Sequence, residues 1–215
     1  MAGNDTKELI LEAAEKLFTE NGYHGTSVRT ITKEAGVNLA SINYHFGSKD
    51  ALLEALFAYR FGPINSMRAE RINEILSSAQ AKGKRPEARD VLRAFITPVF
   101  DNERSCGSMG KLSVLVHMAH SGNDAVMMKT LAKTFKPAMD LLFKALKAAL
   151  PDIPESELKW KVHFFIGGFA HTIRISMMQG KGFKAPAFPK PTKREDLINL
   201  MVAYFSAGME AGWAA

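Results

Sequence analysis

The stretch Gly36 to Leu56, GVNLASINYHFGSKDALLEAL, decides how this chain is read. Asn38 is a good N-cap for a turn and a half of helix, Leu39 to Tyr44, in which Ile42 is the clearest inward apolar residue, flanked by Val37 and Phe46. Gly47 closes that segment. Ser48 then opens a longer helix whose Leu52, Leu53, Leu56 and Phe57 recur at core spacing. A short helix with so few buried positions has surface to spare, and here that surface is made of Asn38, Ala40, Ser41 and Asn43.

Working outward toward the N-terminus, residues 5–21 place Leu9, Ile10, Ala13, Ala14, Leu17 and Phe18 on one face. Asp5 and Glu8 are spaced as a capping pair and Gly22 is available as the stop. Thr26-Ser27 starts a second helix carrying Val28, Ile31 and Ala35, which Gly36 ends. Three helices therefore surround one small core, and the second and third are joined by a tight turn. That is a helix-turn-helix arrangement, in which the later helix can enter the DNA major groove. Asparagine can bond adenine through two atoms, alanine can touch a thymine methyl, and serine can serve several bases. Tyr44, His45 and Lys49 suit phosphate contacts, as do Ser27 and Arg29 from the preceding helix. Three-helix cores also occur in proteins that never touch DNA, so the pattern alone leaves both readings open.

The run GTSVRTITKEAGVNLASINYHFGSKDALLEAL, Gly25 to Leu56, resembles the DNA-binding domain of TetR-family transcriptional regulators, including its T-S-V-R opening, A-G-V turn, Y-H-F and S-K-D. The resemblance implies an all-α homodimer with an N-terminal three-helix helix-turn-helix domain, residues 1–50, and a C-terminal effector-binding and dimerisation domain, residues 51–215. It also implies that the positions from Asn38 through Leu39, Ala40 and Ser41 to Asn43 face bases, while Tyr44 and Lys49 touch phosphates. A looser similarity, carried by LKWKVHFFIGGFAHTIR from Leu158 and LINLMVAYFSAGMEA from Leu197, points to the fatty-acid-responsive, PsrA-like branch of that family. It implies a long-chain acyl effector, although residues 95–135 carry little of the likeness.

Beyond Leu56 the Phe61-Gly62-Pro63 step is expected to kink or break the helix that begins at Ser48. Helical spacing resumes through Ile64, Met67, Ile72, Ile75 and Leu76, and Lys82 to Pro86 is a linker. Further helices are expected over 87–102, 109–120, 124–150, 154–179 and 194–212. The helix over 154–179 is apolar on nearly every side, so it must be covered all round. Gly167 and Gly168 there, with Ala207, Gly208 and Ala211 in the last helix, make small-residue edges suited to a four-helix dimer interface. The same residues would equally suit close packing on the subunit's own core.

For an effector pocket, Phe100, Met118, Phe135, Met139 and Phe164 offer adaptable apolar surface, with His117, His171 and Arg174 as polar anchors. Each has an ordinary alternative as a core or solvent-facing residue. No Cys/His spacing suggests a metal, and the single cysteine, Cys106, fits a reducing, cytoplasmic compartment. No apolar run approaches the roughly 18 residues a spanning helix needs. The net charge of +6 tempts a nucleic-acid reading. Its distribution does not help, because residues 1–50 hold five Lys/Arg against seven Asp/Glu, while Lys181 to Arg194 holds five basic residues and no acid. The segment from Gly180 to Arg194 reads as a connecting loop, and whether it contacts anything stays open.

No phosphate-cradling glycine loop, G-x-S-x-G or metal set is present, so an enzyme and a bound cofactor are not expected. What remains is a DNA-binding regulator, a repressor released from a palindromic operator by a small hydrophobic effector such as a fatty acid. The competing class is a non-enzymatic lipid or small-molecule carrier. It would account for the oily C-terminal half but leave Asn38 to Lys49 without a purpose.

Overall fold

Ser27, Gly36 and Asn38 cap helix ends as their types suggest, whereas Asp5, expected to open the first helix, lies inside its first turn because that helix begins at Ala2. In the computed structural model, which describes residues 2–101, 116, 124–178 and 193–212, the described residues form helices and turns. The elements are α1 (Ala2–Gly25), α2 (Val28–Ala35), α3 (Leu39–His45), α4 (Lys49–Ala81), α5 (Ala88–Ile96), α6 (Pro98–Asp101), α7 (Ala125–Ala149), α8 (Glu155–Met178) and α9 (Arg194–Glu210). No helix among the described residues is long and apolar enough to cross a membrane. The described residues fall into two compact units, 2–63 with 116 and 124–135, and 64–101 with 136–178 and 193–212.

The first unit is built on α1, α2, α3 and the start of α4. Ile10, Leu11, Ala14, Leu17 and Phe18 of α1 meet Ile31, Ile42, Leu52, Leu53, Leu56 and Phe57 in a dry core. Leu9, expected on that face, is 49% exposed. The stripe that α1 buries is set by Ile10, Ala14 and Phe18 together with Leu11 and Leu17, and Leu9 falls off its edge. Gly22 does end the regular helical path, at φ 74 and ψ 168, with one further turn to Gly25. Thr26 then ties the chain back: its hydroxyl donates to the carbonyls of Leu17, at 3.0 Å, and Gly22, at 2.9 Å. A buried ion pair completes the unit, Arg60 Nη2 of α4 lying 2.6 Å from Glu15 Oε2 of α1.

Two expectations about helix continuity are corrected. α4 continues through Pro63 as one helix and is not broken there, the proline withholding a single N–H donor while the helix resumes beyond it. The helix expected over 87–102 is instead divided between α5 and α6, at Thr97-Pro98. There the proline lacks the N–H needed to continue the ladder.

In the second unit α8 packs Leu158, Val162, Phe165, Phe169 and Ile173 inward, against a core that includes Val91, Leu92, Phe95, Leu142, Leu146, Ile198 and Val202. Its far side is not covered by the described residues. Trp160 and Phe164 of α8 are 54% and 59% exposed, and Leu200 and Tyr204 of α9 are 66% and 74% exposed. Lys161 is buried and caps the end of α9, donating to the carbonyls of Gly208, at 2.9 Å, and Ala211. Such a cation satisfies carbonyls that a helix C-terminus leaves without partners.

Candidate nucleic-acid interface

α3 is short, capped at both ends and held by one deeply buried side chain. Asn38, extended at φ −83 and ψ 161, accepts from Ser41 N at 2.9 Å through its side chain. Ile42 is 1% exposed and pins the helix to the core. Gly36 makes the turn before it in the left-handed region, φ 67 and ψ 28, where an L side chain is strained. Val37 N returns to Thr32 O at 3.0 Å, closing the end of α2. The angle between α2 and α3 therefore rests on backbone geometry specified locally.

With Ile42 turned inward, the opposite face of α3 is open. Asn38, Leu39, Ala40, Asn43 and Tyr44 are exposed, Tyr44 at 85%, while Ser41 and His45 are half-buried. These side chains share one surface. They do not share one freedom: Asn38 Oδ1 is occupied by Ser41 N and by Ser41 Oγ, at 3.0 Å, so Asn38 lacks the open acceptor that paired bonding to adenine requires. Asn43 carries no such commitment among the described contacts. Of the residues named for base reading it keeps both donor and acceptor available, and Ala40 beside it adds an apolar spot.

The groups flanking this surface are polar or basic. Ser27 caps α2, accepting from Thr30 N at 3.1 Å, and its hydroxyl shares a 2.7 Å bond with that of Thr30. Arg29, Thr30 and Lys33 are exposed beside it. Thr30 escaped the sequence reading, although its place three residues after a serine cap was the available signal. Tyr44 and His45 meet edge to face with ring centroids 5.0 Å apart. Lys49 is half-buried with its ammonium 4.1 Å from the Tyr23 ring centroid. Burial lowers the Lys49 pKa, against the opposing pull of Asp50 and Asp124. Tyr23 itself donates to Asp50, and burial followed by that bond pushes its hydroxyl pKa upward. Lys49 therefore sits at the base of the surface, fixed by α1 rather than waving in solvent.

The residues named for an effector pocket are not gathered by the described structure. Phe100 is buried, and Met139 and Arg174 are half-buried, all in the second unit. Phe135 belongs to the first unit and packs edge-on against Phe61 at 4.7 Å. Phe164 and His171 are exposed, because α8 turns its other side to the core. His117, Met118 and Cys106 lie outside the described residues, as does most of the basic segment 180–194. An open cleft of about 340 Å³ is lined by Arg71, Ile75, Asp90, Arg93, Ala94 and Thr97, none of them among the named pocket residues.

The small-residue edges divide as well. A Cβ on Gly168 would lie 2.9 Å from the Phe205 ring, so this glycine serves packing within the chain, whereas Gly167 and Gly208 face open space. Ala207 and Ala211 are exposed alongside Gly208. No group of three or more potential metal ligands occurs among the described residues.

Comparison with known proteins bears on both units. Residues 10–56 match the family described as bacterial regulatory proteins of the tetR family, and residues 93–208 match the tetracyclin repressor-like C-terminal domain. A probable HTH-type transcriptional regulator of Bacillus subtilis, YttP, is 51% identical over 51 residues, covering 24% of this chain and 25% of that protein. UidR of Escherichia coli K12 is 39% identical over 51 residues, covering 24% of this chain and 26% of its own. The matched stretch thus spans about a quarter of the length of these curated relatives.

Over nearly the whole chain the fold is similar to that of Bacillus subtilis FadR in complex with stearoyl-CoA, with a TM-score of 0.66 at 20% identity, covering 94% of this chain and 97% of the other. It is similar also to the fatty acid degradation regulator FadR of Bacillus halodurans, with a TM-score of 0.67 at 16% identity, covering 98% of this chain and 97% of the other. With an exposed, capped recognition helix in the first unit and a matching C-terminal domain over more than half of its length, the chain belongs to the TetR family of transcriptional regulators, DNA-binding proteins that are not enzymes.

Proposed function

We propose that this chain acts in the cytoplasm as a homodimeric repressor, which leaves a palindromic operator when a small hydrophobic effector binds. The observation that carries the reading is the α3 surface, where an unencumbered Asn43 and Ala40 stand exposed on a helix fixed by Ile42. In this reading residues 1–50 read DNA and residues 51–215 bind effector and partner. Asn38, Leu39, Ala40, Ser41 and Asn43 lie along the groove, with Ser27, Arg29, Tyr44, His45 and Lys49 on the phosphates.

Dimerisation follows from the need for specificity. One short helix reads only a few base pairs, and a two-fold copy reads a second half-site about one helical turn away. The exposed apolar faces of α8 and α9, with Gly167, Gly208, Ala207 and Ala211, provide the surface. The likeness to a FadR holding stearoyl-CoA supports an acyl compound as effector. The route to the reader is α4, whose course around Gly62-Pro63 would differ between the effector-bound and DNA-bound states.

The assignment of roles on α3 is tested by two substitutions and a set of duplexes each changed at one base pair. Asn43→Ala should lose about 1–3 kcal/mol of discrimination at a single position of each half-site. Tyr44→Phe should weaken every duplex alike, because phosphate contacts carry no sequence information. A uniform loss from Asn43→Ala would take that residue off the bases.

A further inference from the structure

Among the described residues two helices carry the chain from one compact unit to the other, and both do so at the same short pattern. In α4 it is Phe61-Gly62-Pro63-Ile64, with the passage falling after Pro63. In α7 it is Phe135-Lys136-Pro137-Ala138, with the passage falling after Phe135. Each proline is exposed and the residue after it is buried. The two phenylalanines meet each other, with ring centroids 4.7 Å apart and ring planes at 60°. Both prolines therefore lie two residues beyond one shared contact, at the same level of two neighbouring helices.

Before that level α7 is fastened to the reading unit. Asp124 caps its start, accepting from Val126 N at 3.0 Å and Met127 N at 3.2 Å, and its other oxygen lies 3.0 Å from His24 Nε2 of α1. Lys133 Nζ is 2.6 Å from Glu54 Oε2 of α4. At that level both ladders lose a rung, since a proline has no N–H to give. Gly62 adds backbone freedom, and a Cβ there would meet nothing within 4 Å. Helices bend where the ladder is interrupted, proline being the usual cause. One weak point would be splinted by an unbroken neighbour. Two weak points side by side are not.

We propose that Pro63 and Pro137 form a single two-helix hinge, pinned by Phe61 against Phe135, about which the start of α7 moves together with the DNA-reading unit. The pin makes the two bends one event, because neither helix can change direction at this level without carrying the other's phenylalanine with it. Its regulatory role rests on the regulator reading above and adds to it a second helix: a ligand held by the second unit moves the reader by bending α4 and α7 together, rather than α4 alone.

Hydrogen exchange of the full-length protein, read at the amides of residues 64–67 and 138–141, tests it. Pro63→Ala should slow exchange at its own site by up to about 150-fold, the margin by which alanine outranks proline inside a helix. The decisive readout is the other helix: residues 138–141 should slow as well, by about 2- to 150-fold, as coupled residues do. Pro137→Ala should act on residues 64–67 in the same way, and either variant serves if the other does not fold. Phe135→Leu added to Pro63→Ala should confine the slowing to α4. Slowing confined to the substituted helix in the single variants, or no greater at the other crossing than in α1, would overturn the proposal. Operator duplex selected from a randomised library, added to the parent protein, should slow both crossings together. Protein that holds its operator yet shows independent crossings ends this inference and spares the regulator. Coupled crossings in a protein that ignores every duplex uphold the hinge and end the regulator reading.

Discussion

Glu15→Ala is expected to cost about 3–5 kcal/mol of stability in the DNA-reading unit, the range seen when one partner of a buried ion pair is removed. The side chains of Glu15 and Arg60 are only 3% and 11% exposed, so water cannot replace the lost partner. Arg60 Nε already lacks a hydrogen-bond acceptor, which leaves the guanidinium dependent on Glu15. Because a domain is stable by only about 5–15 kcal/mol in all, such a loss would leave α1 loosely attached and lower operator affinity with it. Replacing both partners together, Glu15→Leu with Arg60→Met, should recover most of the loss, since no stranded charge remains. Urea titration followed by far-ultraviolet circular dichroism measures each variant. A single-variant loss below about 1 kcal/mol, the ordinary value of an exposed pair, would mean that the pair is solvated in solution.

The second large effect concerns the uncovered face of the other unit. Trp160 and Phe164 are one helical turn apart on α8, and Leu200 and Tyr204 one turn apart on α9, so each helix offers a pair of large apolar groups. Contiguous exposed apolar surface of this kind marks an interaction site. Phe164→Glu combined with Tyr204→Glu should place like charges on both sides of a two-fold contact and give a monomer by analytical ultracentrifugation. Operator affinity should then fall toward the non-specific level, about a thousandfold or more below the specific one. Trp160, one of two tryptophans in the chain, should shift to redder emission as its cover is lost. A variant that remains dimeric, or a monomer that binds the operator as tightly as the parent, would contradict this assignment.

How much of this could be read from the residues depends on how local the determinants are. α2, α3 and their turn were legible because Ser27, Gly36 and Asn38 act within a few residues of themselves, and the structure shows each in the capping role its type suggests. The small residues of α8 were not, since close approach to a partner and close approach to Phe205 call for the same side chain; Gly168 has the second role. Pro63 left a kink and a break both open, because a helix can tolerate the loss of one N–H donor, and only the structure shows that the helix continues past it. The exposure of Phe164 was not legible either, because periodicity in an apolar helix does not say which side is inside. The burial of Arg68 was invisible for the opposite reason. One arginine among many is presumed to lie at the surface, and only three-dimensional packing shows it enclosed.

The most direct test is selection of binding sites from a randomised duplex library by the purified protein at low ionic strength. The account expects an inverted repeat whose half-sites are centred about one turn of DNA apart, or a small multiple of it, with Asn43→Ala relaxing one position in each half. Recovery of no enriched sequence, or of a short site without an inverted repeat, from folded and paired protein would contradict it.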